Sequence, residues 1–93
     1  MKQKLVQERP NTDIAFFTNS AEGIAKNKEY TDAGKITKTE SISENGLVKT
    51  IEIEYNSTDD YNNFILEEVI LNEKSSREKY CADNSISFSL TEE

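Results

Sequence analysis

The chain has 93 residues, a formal net charge of −7, one cysteine and no histidine. That length makes one domain with a modest core, and the charge excludes the basic footprint of a general nucleic-acid binder. Without histidine there is no Ser–His–Asp triad and no histidine-ligated metal, and with Cys81 alone there is no structural zinc site and no intrachain disulfide.

Residues 1–11 are polar, carry Pro10 and read mainly as an entry segment, although Lys4-Leu5-Val6 could add a short strand. A single domain then spans residues 12–91. Asp13 to Thr18 (DIAFFT) is a short apolar run that predicts the first, central strand, with Ile14 and Phe16 on one face and Ala15 and Phe17 on the other. Asn19 or Ser20 offers an N-cap, with Glu22 in the first turn. The helix that follows runs to about Asp32, with Ala21, Ile24 and Ala25 at helical spacing, Gly23 weakening it and Gly34 as its C′ residue.

Gly34 to Tyr55 predicts a β-hairpin around Asn45-Gly46, a dipeptide that tolerates the left-handed conformation of a two-residue type I′ turn. That turn places Ile36 opposite Tyr55, Lys38 opposite Ile53, Glu40 opposite Ile51 and Ile42 opposite Lys49 on one face. The other face carries Thr37, Thr39, Ser41 and Ser43 against Glu54, Glu52, Thr50 and Val48. The first face is apolar on the second strand and mixed on the first, so the second strand is expected inside the sheet and the first at an edge.

Ser57 or Thr58 caps a second helix, with Asp59 and Asp60 at its positive end. A broad apolar band from Tyr61 to Leu71 carries it to about Leu71, with a polar continuation towards Tyr80 that Ala82-Asp83-Asn84 breaks. Ser85 to Leu90 alternates as a last strand. The order β-α-β-β-α-β is an α+β, ferredoxin-like arrangement, with an antiparallel sheet in the order 4-1-3-2 and two helices on one face. Its open face should hold the Ser, Thr and Glu positions of the hairpin, Ser85, Ser87 and Ser89, and Ala15 with Phe17.

These features favour a small acidic, non-enzymatic module for protein interaction or assembly, acting on a protein partner or as a homodimer. The candidate contact residues are Ile36, Lys38, Glu40 and Ile42 on the edge strand, Phe17, and Glu52 with Glu54 on the exposed face. No catalytic, cofactor-binding or metal-binding residue is assigned, no cofactor is expected, and neither direct nucleic-acid binding nor a membrane is implied. Glu52 and Glu54 share a face about 7 Å apart along the strand, but Thr39 and Thr37 opposite them favour ordinary cross-strand pairing. Cys81 reads as a buried, inert thiol. Tyr30, Tyr55, Tyr61 and Tyr80 are the remaining pocket candidates, with core packing the preferred role. The absence of a long apolar run or an apolar leader sets the expectation of a cytoplasmic protein.

In topology and length, residues 12–91 resemble the dimeric α+β barrel proteins, which include the antibiotic-biosynthesis-monooxygenase-like family. The resemblance implies a sheet-on-sheet dimer and, in the family's enzymes, a cofactor-free apolar cavity or a haem site. It sets a second expectation: a dimeric-barrel small-ligand binder or a cofactor-independent monooxygenase-like enzyme. In such a barrel the Ser-, Thr- and Glu-rich sheet face would line the enclosed space. The segments ERPNTDIAFFTNS and NGLVKTIEIEY also resemble small uncharacterised proteins of tailed-phage genomes, which implies a phage-encoded protein in the host cytoplasm. A third expectation is an acidic inhibitor that mimics DNA, which requires carboxylates gathered on one face. An apolar cavity of a few hundred Å³ would single out the ligand binder.

Overall fold

A computed structural model describes residues 1–92. They form β1 (Lys2–Glu8), α1 (Ala21–Asp32), β2 (Ile36–Ile42), β3 (Val48–Tyr55), α2 (Thr58–Leu66), α3 (Glu68–Asp83) and β4 (Ser87–Glu92). The strands make one antiparallel sheet in the order β2-β3-β1-β4. This is the expected α+β strand order, with three helices in place of two.

The first strand is not the one expected. Lys2–Glu8, read as an entry segment, is an inner strand that pairs with both β3 and β4. Asp13–Thr18 carries no regular structure. An inner strand needs alternation, and here Gln3, Leu5 and Gln7 point to the helices while Lys4, Val6 and Glu8 point away. Two of the three inward residues are glutamines, which disguised the buried face. The apolar run finds other partners: the Arg9 guanidinium lies 4.4 Å over the Phe16 ring, and Phe17 packs 5.8 Å from Tyr80. Phe17 and Ala15 are therefore not part of the open sheet face.

The hairpin register is the one expected, pair for pair from Ile36–Tyr55 to Ile42–Lys49. The turn is different. Only Gly46 takes a positive φ, of 76°, and its N–H donates to the Ser43 carbonyl at 2.9 Å. The Asn45 side-chain oxygen accepts from Leu47 N–H at 3.0 Å and from the Ser43 hydroxyl at 2.7 Å. The loop thus spans four residues, Glu44 to Leu47, between a paired Ser43 and Val48. Two- and four-residue loops centred on Asn45-Gly46 impose the same pairing, so the register survives the change of turn.

Ser20 and Ser57 cap α1 and α2 with their side chains, accepting from Gly23 N–H at 3.2 Å and Asp60 N–H at 3.1 Å. Gly34 ends α1 with φ 73°. The second helix, expected as one piece, breaks at Glu67, whose ψ of 130° is extended. The apolar band from Tyr61 to Leu71 is wider than one helix face can bury. The break turns Phe64 inward and leaves Leu66 70% exposed. Glu67 fastens the junction to α1 through Lys26 Nζ at 3.0 Å. These carboxylate contacts, with Glu29 first and Glu67 second, raise the Lys26 pKa.

The core sits at one end of the sheet, where Tyr30, Ile36, Tyr55 and Phe64 are buried together and Ile53, Tyr61, Ile65 and Ile70 pack on them. Phe64 meets Tyr30 edge-on at 4.9 Å and Tyr55 at 6.0 Å. Cys81 is buried at the far end of α3, where burial pushes its thiol pKa up, as expected of an inert residue.

Candidate ligand-binding site

The strand registers lay three rows across the helix-side face of the sheet. They run Lys38–Ile53–Gln3–Glu92, Glu40–Ile51–Leu5–Leu90 and Ile42–Lys49–Gln7–Phe88. Apolar residues hold the centre of this floor and polar residues its two ends. Above it, between the sheet and the helices, lies a cleft of about 580 Å³. That is within the range of ~300–1,000 Å³ usual for small-molecule sites. Ile24 of α1, Ile65 of α2 and Leu71 of α3 supply apolar wall, and Phe17, Thr18 and Asn19 close one side.

The segment from Arg9 to Asn19 is held over the cleft by three anchors. Arg9 donates from Nε to the Gly46 carbonyl at 2.8 Å and from Nη1 to the Ile14 carbonyl at 2.9 Å. The Tyr80 hydroxyl donates to the Ala15 carbonyl at 2.7 Å. At the start of α1, the buried Glu73 carboxylate accepts from the N–H and hydroxyl of Ser20. This contact brings α3 so close to α1 that a Cβ on Gly23 would stand 2.5 Å from Glu73 Cδ. The glycine that weakens the helix in isolation is what allows the two helices to meet.

The two polar ends of the cleft differ. At the first, Tyr55 donates to Gln3 Oε1 and Tyr61 donates to Glu92 Oε1, each at 2.6 Å, and these groups satisfy one another. Burial, then the neighbouring Tyr61 and Glu92, pushes the Tyr55 hydroxyl well above its ordinary pKa of 10.0. The hydrogen bond to Glu92, then burial, raises that of Tyr61.

At the second end, Gln7 is 1% exposed, and its Oε1 has no hydrogen-bond partner among the described residues. Arg77 Nε is likewise shut off from solvent without a partner. Burial lowers the Arg77 pKa, against smaller opposing effects of Cys81, Glu78 and Glu73. Lys49 of the Gln7 row and Lys38 of the Gln3 row share one carboxylate, Glu40 of the row between them, at 3.7 and 3.5 Å. Buried polar groups are almost always paired, so two orphans lining one cleft single that end out.

The candidate residues read from the sequence are divided by the structure. Lys38, Glu40 and Phe17 come together as cleft lining. Ile36 is buried in the core, and Ile42 is exposed at the end of β2. Glu52 and Glu54 stand on the opposite sheet face, between Thr39 and Thr37 on one side and Lys4 and Lys2 on the other. The cleft itself lies under the helices, not on the Ser-, Thr- and Glu-rich face expected to line a barrel. Gln7, Lys49, Glu73 and Arg77 were missed as site residues. The alternation Gln3-Leu5-Gln7 and the one-turn spacing Glu73-Arg77-Cys81 were the available signals. Among the described residues no three Cys, Asp or Glu side chains gather as a metal-ligand set, and no helix is long and apolar enough to cross a membrane.

No protein-family profile matches the chain, and no curated protein matches it. Eight solved chains match in shape, among them the following two. One, from Deinococcus radiodurans, is provisionally assigned as an antibiotic biosynthesis monooxygenase. It matches at 9% identity and a TM-score of 0.42, over 100% of this chain and 92% of that one. The other, from Burkholderia cenocepacia, is provisionally assigned as an amidohydrolase/peptidase, at 9% identity and a TM-score of 0.40 over 98% of this chain. The chain spans only 26% of that second protein's length. Likeness this distant carries no argument about activity.

Proposed function

We propose that this is a small-ligand-binding domain whose site is the cleft between helices and sheet. The observation that carries the reading is that the cleft of about 580 Å³ has an apolar floor and two buried polar atoms, Gln7 Oε1 and Arg77 Nε, left without partners. Leaving such groups unmatched costs about 1–3 kcal/mol each. A bound molecule would cover Ile51, Leu5 and Leu90 and, with a turn of the Gln7 and Arg77 side chains towards it, supply the partners these atoms lack. The DNA-mimic reading draws no comparable support, since Glu52 and Glu54 are offset by Lys4 and Lys2 across the strands.

The test uses N-phenyl-1-naphthylamine, a neutral apolar fluorophore. It is expected to brighten with the wild-type protein and to lose this response in Leu90→Trp, where the indole would fill the cleft floor. Circular dichroism checks that the variant keeps its fold. Absence of brightening, or equal brightening in both proteins, overturns the reading.

A second reading, protein contact through strand addition, rests on the free edge of β2, where Ile42 is 57% exposed. Light scattering at two protein concentrations tests its self-pairing form. A dimer that Ile42→Lys dissolves supports it, and a monomer at both concentrations removes it.

A further inference from the structure

Resting on the ligand-binding reading, we infer that the cleft selects an elongated apolar molecule ending in a single carboxylate, with the carboxylate on Arg77 and the tail towards Tyr55 and Gln3. The charge pattern carries this. The carboxylates of the cleft are already engaged: Glu73 by Ser20, Glu92 by Tyr61, and Glu40 by two lysines at once. Its cations are not matched in return. Lys38 and Lys49 divide one carboxylate, and the exposed Lys74 and the part-buried Arg77 have no ion-pair partner within 4.0 Å among the described residues, Arg77 with its Nε closed off from water.

A part-buried guanidinium without an ion pair is stabilised by an anion that reaches it, and a carboxylate fits its planar fork better than any neutral group. The net charge of −7 opposes an anion at long range. That field is screened beyond ~8 Å at physiological salt, whereas Arg77 acts at contact. Gln7 serves the same end of the cleft, because a half-turn of its terminal amide offers NH₂ in place of the carbonyl.

Size follows from the strands. Gln3 and Gln7 bracket the floor four residues apart on β1, a span of about 13 Å. The floor between them is Ile53, Ile51, Leu5 and Leu90, which suits an unbranched tail and offers it no hydrogen bond. At the far end Tyr55, Gln3, Tyr61 and Glu92 satisfy one another, and Lys38 of the same row is paired with Glu40. One polar head at the Arg77 end is therefore what the cleft lacks.

The experiment compares decanoate with decanol by isothermal titration calorimetry, first on the wild-type protein. Decanoate is expected to bind at least about tenfold more tightly, the difference a charge-assisted hydrogen bond makes. Arg77→Met, which keeps an apolar stem, should erase that preference and leave decanol binding in place. Equal binding of the two to the wild type overturns the carboxylate inference and leaves the cleft reading standing. Binding of neither overturns both. Should Arg77→Met fail to fold, phenylglyoxal labelling of the wild-type protein reads the contact by peptide mass spectrometry: decanoate, and not decanol, should protect Arg77 from modification and leave Arg9 labelled as before. If decanoate leaves the labelling of Arg77 unchanged, the head group is not on Arg77.

Discussion

Where Ile36 stands opposite Tyr55, the space beneath the helices is filled by rings; six residues back along β3, where Lys49 stands opposite Gln7, it is left as a cleft. At the first end Phe64 meets Tyr30 edge-on and Tyr55 at a tilt, and the hydroxyls are paired. The second end has two polar atoms without hydrogen-bond partners among the described residues, Gln7 Oε1 and Nε of the Arg77 guanidinium. The two ends share one sheet and the same three helices, so the contrast comes from side chains alone. It shows which residues hold the fold and which are held by it: the aromatic end supplies stability, and the cleft end spends some of it.

The sharpest way to break the comparison is Phe64→Ala. It should cost about 3–5 kcal/mol in urea unfolding, whereas Leu90→Ala in the cleft should cost about 0.5 kcal/mol or less. Equal losses would mean that the two ends are packed alike.

Alkaline pH should strike the aromatic end next. Burial is the first cause of the raised pKa of Tyr30 and Tyr55, and the bond to Glu92 the first cause for Tyr61. Hydroxyls that hold their protons more tightly when folded stabilise the protein below the ordinary value of 10.0 and lose that contribution as pH climbs through the folded values. The melting temperature should therefore fall as pH rises above about 10, and Tyr55→Phe should flatten the fall.

Gly23→Ala should cost about 1–2 kcal/mol by overpacking against the buried Glu73, in spite of the better helix propensity of alanine. A gain in melting temperature would show that α1 and α3 can part at the cleft end. The smallest effect should be Gln7→Leu, which removes an orphaned acceptor and should be neutral or stabilising by up to about 1 kcal/mol in the same unfolding measurement. A loss above that would mean Gln7 belongs to the stable end.

Much of the fold was legible in the chain, and the misreadings share a cause. The hairpin register could be read because alternation through Ile51, Ile53 and Tyr55 is strong and the Asn45-Gly46 centre permits one pairing. The caps at Ser20 and Ser57 could be read because capping is local chemistry. The first strand could not, because apolar content pointed to DIAFFT while the inner face of β1 is Gln3-Leu5-Gln7. The inward line of α3, Glu73-Arg77-Cys81, escaped for the same reason. The cleft is built from the residues that break the rule that polar means exposed, so a reading based on apolar periodicity found the core and passed over the site.

The sequence by itself determined the α+β class, the strand order, the hairpin register and the helix caps, since each follows from side-chain period, turn residues or hydrogen bonding a few positions apart. Only the tertiary structure decided that Lys2–Glu8 is an inner strand, that the second helix breaks at Glu67, and that Gln7, Lys49 and Arg77 line one cleft. Those outcomes depend on contacts between residues far apart in the chain, where burial of a polar group is set by what lies across from it rather than by its neighbours in sequence.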